Sequence, residues 1–119
     1  MRRNPDLCRA LLLELEEDPN LIGLKIYQVE GFTDDEISYH VKLLYEAGLI
    51  EAHNASAMNS FKWFPLRLTW QGHEFLDAAR DDTRWNKAKN IVKDKTGALS
   101  FEVIKDVLLK LVAAATSGL

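Results

Sequence analysis

Cysteine is all but missing from this chain: Cys8 is the one thiol in 119 residues. A lone thiol closes no internal disulfide and gives no reason to invoke an oxidising compartment, so the cytoplasm is the expected location. Glycine-rich phosphate loops, cofactor fingerprints, internal repeats and low-complexity tracts are absent, and no cofactor is expected. No apolar run reaches the roughly 20 residues that a membrane span requires. The opening MRRNPDLCRALLLELEEDP has the arginines of a signal peptide, but acids at 14, 16, 17 and 18 break its apolar stretch, which favours a structural helix. Metal and catalytic patterns are also lacking. His73 and Glu74 have no second histidine four positions on, as a helical zinc pair needs. Asp81 and Asp82 are adjacent and point about 100° apart on a helix. Asp77 and Asp81 could converge, but Arg80 and Arg84 beside them point to a surface ion network. An enzyme is not expected.

What remains is ordinary globular material, 47% hydrophobic and 28% charged. At 13.5 kDa it suits one domain that buries roughly two-thirds of its unfolded surface. The net charge is −3, unlike the basic balance of a generic nucleic-acid binder, and it is unevenly spread. Residues 1–82 carry 8 basic and 15 acidic side chains, residues 83–119 carry 7 and 3, and no acid lies between Glu51 and Glu74.

Asn4 followed by Pro5 is an N-cap with proline at the first helical position, and the apolar positions that follow predict a helix over 5–17 with Cys8 on its inner face. LKIYQVEG at 24–31 alternates like a short strand, with Leu24 and Ile26 inward. Thr33 and Glu36 then form a capping box, Asp34 and Asp35 complement the helix dipole, and Phe32 can staple onto Ile37. That helix should stop at Gly48 in a left-handed turn, with Leu49 against Leu44, before a strand starts at Leu49 and Ile50. Its inner arc holds Ile37, His40, Val41, Leu43, Leu44 and Ala47; Ser38, Tyr39, Lys42, Tyr45 and Glu46 lie outside it. His40 there is expected to be a hydrogen-bonded core residue.

HNASAMNS at 53–60 suits a hairpin tip, and FKWFPLRLTW at 61–70 the returning strand, with Pro65 marking an edge or a bulge. Thr69 caps the next helix, whose seam of 72, 75, 76 and 79 continues through Trp85, Ala88, Ile91 and Val92 toward Gly97. One helix and two helices both fit this stretch. Trp70 and Phe75 are expected in the core. Ser100 caps a last helix whose apolar residues span roughly 180°, against roughly 100° for a surface helix. A homodimer through it would explain the excess, as would burial within its own domain.

The motifs "GLI" at 48–50 and "LTxxG" at 68–72 in this order resemble the winged-helix regulators of the multiple-antibiotic-resistance type. The longer pattern DDEISYHVKLLYEAGLIEA, RLTWQGHEFLDAARDDTRWNKAK and SFEVIKD is similar to a family of short bacterial and phage proteins that is a domain of unknown function. The resemblance implies an α+β, mostly helical, winged-helix-like fold. Residues 1–80 would form the core with its small antiparallel wing, and 81–119 a C-terminal helical extension packed on it, one domain overall. The winged-helix resemblance implies duplex DNA as a partner and a regulatory role; the acidic helix start and the over-apolar last helix suit a protein partner as the alternative. Residues 19–33 carry strand and turn chemistry where a positioning helix is needed, and the recognition helix opens on three acids that repel phosphate. Arg84, Lys87, Lys89, Lys93 and Lys95 flank the apolar seam on both sides and form no single stripe. The aromatic cluster Phe61, Trp63 and Phe64 favours a protein partner if exposed. The candidate contact residues for either partner are Ser38, Tyr39, Lys42, Tyr45, Lys62, Trp63 and Arg67.

Overall fold

The computed structural model describes residues 1–19, 27–96 and 100–117. It is α+β, with α1 (Pro5–Glu17), α2 (Asp34–Glu46), β1 (Ile50–Asn54), β2 (Trp63–Leu68), α3 (Trp70–Ala79), α4 (Asp82–Thr96) and α5 (Phe101–Ser117). None of the described helices is long and apolar enough to cross a membrane. The chain forms two compact units, Met1–His73 and Glu74–Leu119.

The first unit is held by short-range codes that the sequence spells out. The Asn4 side chain accepts from the N–H groups of Asp6 and Leu7, which starts α1 where expected. Thr33 and Glu36 close their capping box at 3.1 and 3.0 Å. At the other end of α2, Gly48 turns left-handed at φ 76°. Leu49 N–H bonds Leu44 O, and Gly48 N–H bonds Tyr45 O, each at 3.0 Å, the paired bonds of a Schellman stop. Leu7, Leu11, Leu12 and Leu15 of α1 are buried, as are Ile37, Val41 and Leu44 of α2 and Leu49, Ile50 and Leu68 of the hairpin.

His40 joins the two helices. It is 1% exposed, its Nε2 accepts from Asn4 N–H at 2.9 Å, and its Nδ1 lies 2.7 Å from Glu36 O. A backbone N–H can only donate and a carbonyl can only accept, so the ring is held as the tautomer with its proton on Nδ1. A buried imidazole thus ties the cap of α1 to the first turn of α2. Cys8 is buried on α1, and that burial pushes its thiol up to about 12.

β1 and β2 pair antiparallel, Ile50 with Leu68 and Asn54 with Trp63. Ala52 pairs with Pro65 and Glu51 with Arg67, so Leu66 is the extra residue of a bulge. Proline has no N–H to give the ladder, and the bulge beside it is the irregularity Pro65 foretold. Two bounds move from expectation. His53 and Asn54 belong to β1, and the return strand is shorter, because Thr69 is already the cap of α3 and Trp70 its first helical residue. Of the strand expected over 24–31, residues 24–26 lie outside the described residues and 27–31 form no strand.

The "GLI" and "LTxxG" motifs lock together. Thr69 N–H donates to Leu49 O at 3.0 Å, its hydroxyl donates to Gly48 O at 2.6 Å, and it accepts from Gly72 N–H at 3.1 Å. Gly72 is buried, and a Cβ there would sit 1.9 Å from Leu49 O. Threonine and glycine at this spacing fasten the foot of the hairpin to the stop of α2.

In the second unit, Phe75 of α3 meets the ring of Phe101 at 4.9 Å and the edge of Trp85 at 6.4 Å. Leu76, Ala88, Val92, Ile104 and Leu108 are buried as well. The stretch that admitted one helix or two is two. Asp81 caps α4 through Arg84 N–H at 2.7 Å, and the Arg84 guanidinium donates to Ala78 O at the end of α3 at 3.2 Å. Arg80 pairs with Asp77 at 3.0 Å, part of the expected ion network. Trp70 is corrected from core to surface, being 77% exposed. Gly72, Phe75, Leu76 and Ala79 are buried, and at about 100° per residue Trp70 falls on the opposite side of the helix.

Candidate functional site

A groove of about 610 Å³ opens between α2 and the hairpin. Asp34, Asp35, Ile37, Ser38 and Val41 form its helical wall; Phe61, Lys62, Trp63, Phe64 and Pro65 form the opposite wall, and the tip residues 56–60 close one end. Tyr27 also lines it. The Tyr27 hydroxyl donates to Asp18 Oδ2 at 2.8 Å, and burial followed by that bond raises its pKa.

Local chemistry holds each wall. The capping box fixes the first turn of α2 and so places Asp34 and Asp35, the two residues after the cap, on the groove. The tip is tied by Ser56, whose Oγ accepts from Lys62 N–H at 3.0 Å while Ala55 N–H donates to Lys62 O at 2.9 Å. Ala57 and Ser60 exchange backbone bonds of 2.8 and 3.0 Å, and Met58 stands at the apex, 98% exposed. Trp63 is braced twice. Its N–H points to Ser38 Oγ at 3.4 Å, and its ring lies 5.5 Å from that of Tyr45.

The seven sequence-derived residues therefore separate. Ser38, Lys62 and Trp63 line the groove and Tyr45 backs Trp63. Tyr39 meets the edge of the His40 ring at 5.9 Å, and neither it nor Lys42 lines the groove. Arg67 lies on β2 in an ion pair with Glu51, both half-exposed. Phe61 and Phe64, read as an aromatic cluster, do line the groove, with Phe61 39% exposed. Asp34 and Asp35 were legible only as dipole partners and phosphate repellents. Their position against an aromatic wall 25 or more residues further along depends on the fold. Among the described residues no group of three or more His, Cys, Asp or Glu side chains is placed to hold a metal ion.

The fold is a small α+β module with a groove between α2 and its hairpin. Residues 2–98 match the family described as Hypothetical protein (DUF2513), and the chain belongs to that family. It is 43% identical over 114 residues to an uncharacterized protein of Haemophilus influenzae, an alignment that covers 95% of this chain and 97% of that one. No solved structure matches it.

Proposed function

We propose that the chain is a protein-interaction module whose groove between α2 and the hairpin docks a cationic, partly apolar segment of a partner protein. The observation that carries this is the pairing of two carboxylates, Asp34 and Asp35, with the ring wall of Phe61, Trp63 and Phe64 across one opening. Carboxylates facing an exposed Phe61 and half-buried Trp63 and Phe64 across one groove suit a basic apolar segment and repel a polyanion. Among the described residues that line the groove Lys62 is the one cation, and Arg67 faces Glu51. In this role the module is not an enzyme and acts by binding alone.

A photo-crosslinking amino acid at Met58 in the full chain tests it. A protein adduct is expected in cells. It should be lost on Asp34→Lys with Asp35→Lys and absent when the crosslinker stands at Asp6, exposed on α1 and outside the groove lining. An adduct that persists through the charge reversal would count against the groove.

Duplex DNA is the competing partner, supported by the order α2, hairpin, α3 and its resemblance to winged-helix regulators. Tyr39, Lys42 and Lys62 would then supply the contacts. Mobility shifts with random duplex at rising salt separate the two: binding whose affinity drops steeply with salt would favour DNA, and no shift at low salt is expected if the groove is a protein site. Self-association through α5 is supported by Val103 and Leu109, 37% and 45% exposed. A monomer in sedimentation at micromolar concentration would set it aside.

A further inference from the structure

Resting on the docking groove proposed above, we infer that its occupant is an extended, proline-containing segment carrying arginine, bound in the left-handed polyproline conformation. The groove recognises with side chains and not with a backbone edge. The amides inside α2 are bonded within the helix, and Trp63, where β2 begins, already directs its N–H to Ser38 Oγ. A strand added to the groove would need a row of unpaired backbone partners, whereas a polyproline helix makes no internal or ladder bonds and keeps its backbone solvated.

Flat aromatic faces are what proline rings pack against. Trp63, whose backbone N–H is bonded to Ser38 and whose ring lies against that of Tyr45, and the neighbouring, exposed Phe61 provide such faces. Arginine is favoured over lysine because its planar fork can bond a carboxylate with two N–H groups and stack on a ring at the same time. Asp34 and Asp35 stand across the groove from those rings. Lys62 on the ring-bearing wall sets the direction, since it disfavours a second arginine on that side.

The test uses the full chain and three fluorescein-labelled peptides of equal length. One holds prolines and arginines, one holds the same prolines with glutamate for arginine, and one holds the same arginines on an alanine-rich helix. Polarisation and the Trp63 indole signal report binding. The proline and arginine peptide is expected to bind at least roughly tenfold tighter than either other. Asp34→Lys with Asp35→Lys should reverse the charge preference. Should that variant fold poorly by circular dichroism, Asp34→Asn with Asp35→Asn leaves the Thr33 and Glu36 box intact and should abolish the preference for arginine. Equal or tighter binding of the helical peptide overturns the polyproline conformation and leaves the groove standing. A Met58 crosslink with no peptide bound overturns this inference alone; loss of both removes the docking site as well.

Discussion

The two units reach order by different means. Met1–His73 is fastened by stereochemical devices: a capping box, a left-handed glycine, a buried histidine with two backbone partners, and a threonine that bonds Gly48 and Gly72. Glu74–Leu119 is centred on three aromatic rings, Phe75, Trp85 and Phe101, with simple helix caps around them. Their charge differs too: seven basic and eleven acidic residues in the first, eight and seven in the second. A region held by directional bonds fixes positions closely and tolerates few residues at each, which suits a groove whose walls must be placed. Packing by volume tolerates exchange among apolar side chains.

Substitutions at the centre of each unit should expose that difference. Phe75→Ala removes the ring that touches both others and is expected to cost about 4 kcal/mol in denaturant melts. Phe75→Met keeps most of the volume and should cost about 1.5 kcal/mol. In the first unit the smallest change is enough. Gly72→Ala places one methyl 1.9 Å from Leu49 O, and because backbone must move to admit it, about 3 kcal/mol is expected. A Gly72→Ala melt within 0.5 kcal/mol of the parent, on the order of a neutral surface change, would mean the hairpin foot is not locked and the contrast fails.

Thr69 offers a finer test. Thr69→Val keeps the shape and loses the hydroxyl that donates to Gly48 O and accepts from Gly72 N–H. A loss of about 1–2 kcal/mol is expected, with Thr69→Ser recovering most of it. Because the same bonds hold the hairpin against α2, the Trp63 indole signal should broaden in the valine variant and stay sharp in the serine variant. A loss in the serine variant with none in the valine variant would instead assign the effect to the methyl group and its packing.

The same division governs what could be read from the sequence. The starts of α1 and α2 and the stop at Gly48 were legible because each is written within a few consecutive residues. His40 was legible as a bonded core residue from its place on the inner arc, but its partner Asn4 was not, since 36 positions separate them. The break between α3 and α4 carries no glycine or proline. It is made by Asp81 capping forward and Arg84 reaching back to Ala78, a choice between two satisfied arrangements that periodicity does not distinguish. Trp70 was misplaced through its residue type, although its angle on α3 assigns it to the outer face. The groove was half legible. Its rings form a visible cluster, but Asp34 and Asp35 reach them only after the Thr69 lock folds the hairpin back along α2.

Alkaline pH gives the mildest comparison. All three tyrosines and the cysteine lie in the first unit, and the second has neither residue type. Burial raises the Cys8 thiol from 9.0 to about 12, so above pH 9 the unfolded chain sheds a proton that the folded chain keeps. The unfolded state then binds fewer protons and stability falls as pH rises, from full strength below pH 9 through a decline that ends near pH 12. At pH 10 the loss should be about 1 kcal/mol. Tyr27, also shifted upward by burial and its bond to Asp18, adds to the decline at higher pH, so Cys8→Ala is the control that removes the thiol's part alone. Denaturant melts at pH 8 and pH 10 should show the parent losing more than Cys8→Ala, whereas melts that shift equally would mean that the Cys8 side chain is open to water in the folded chain.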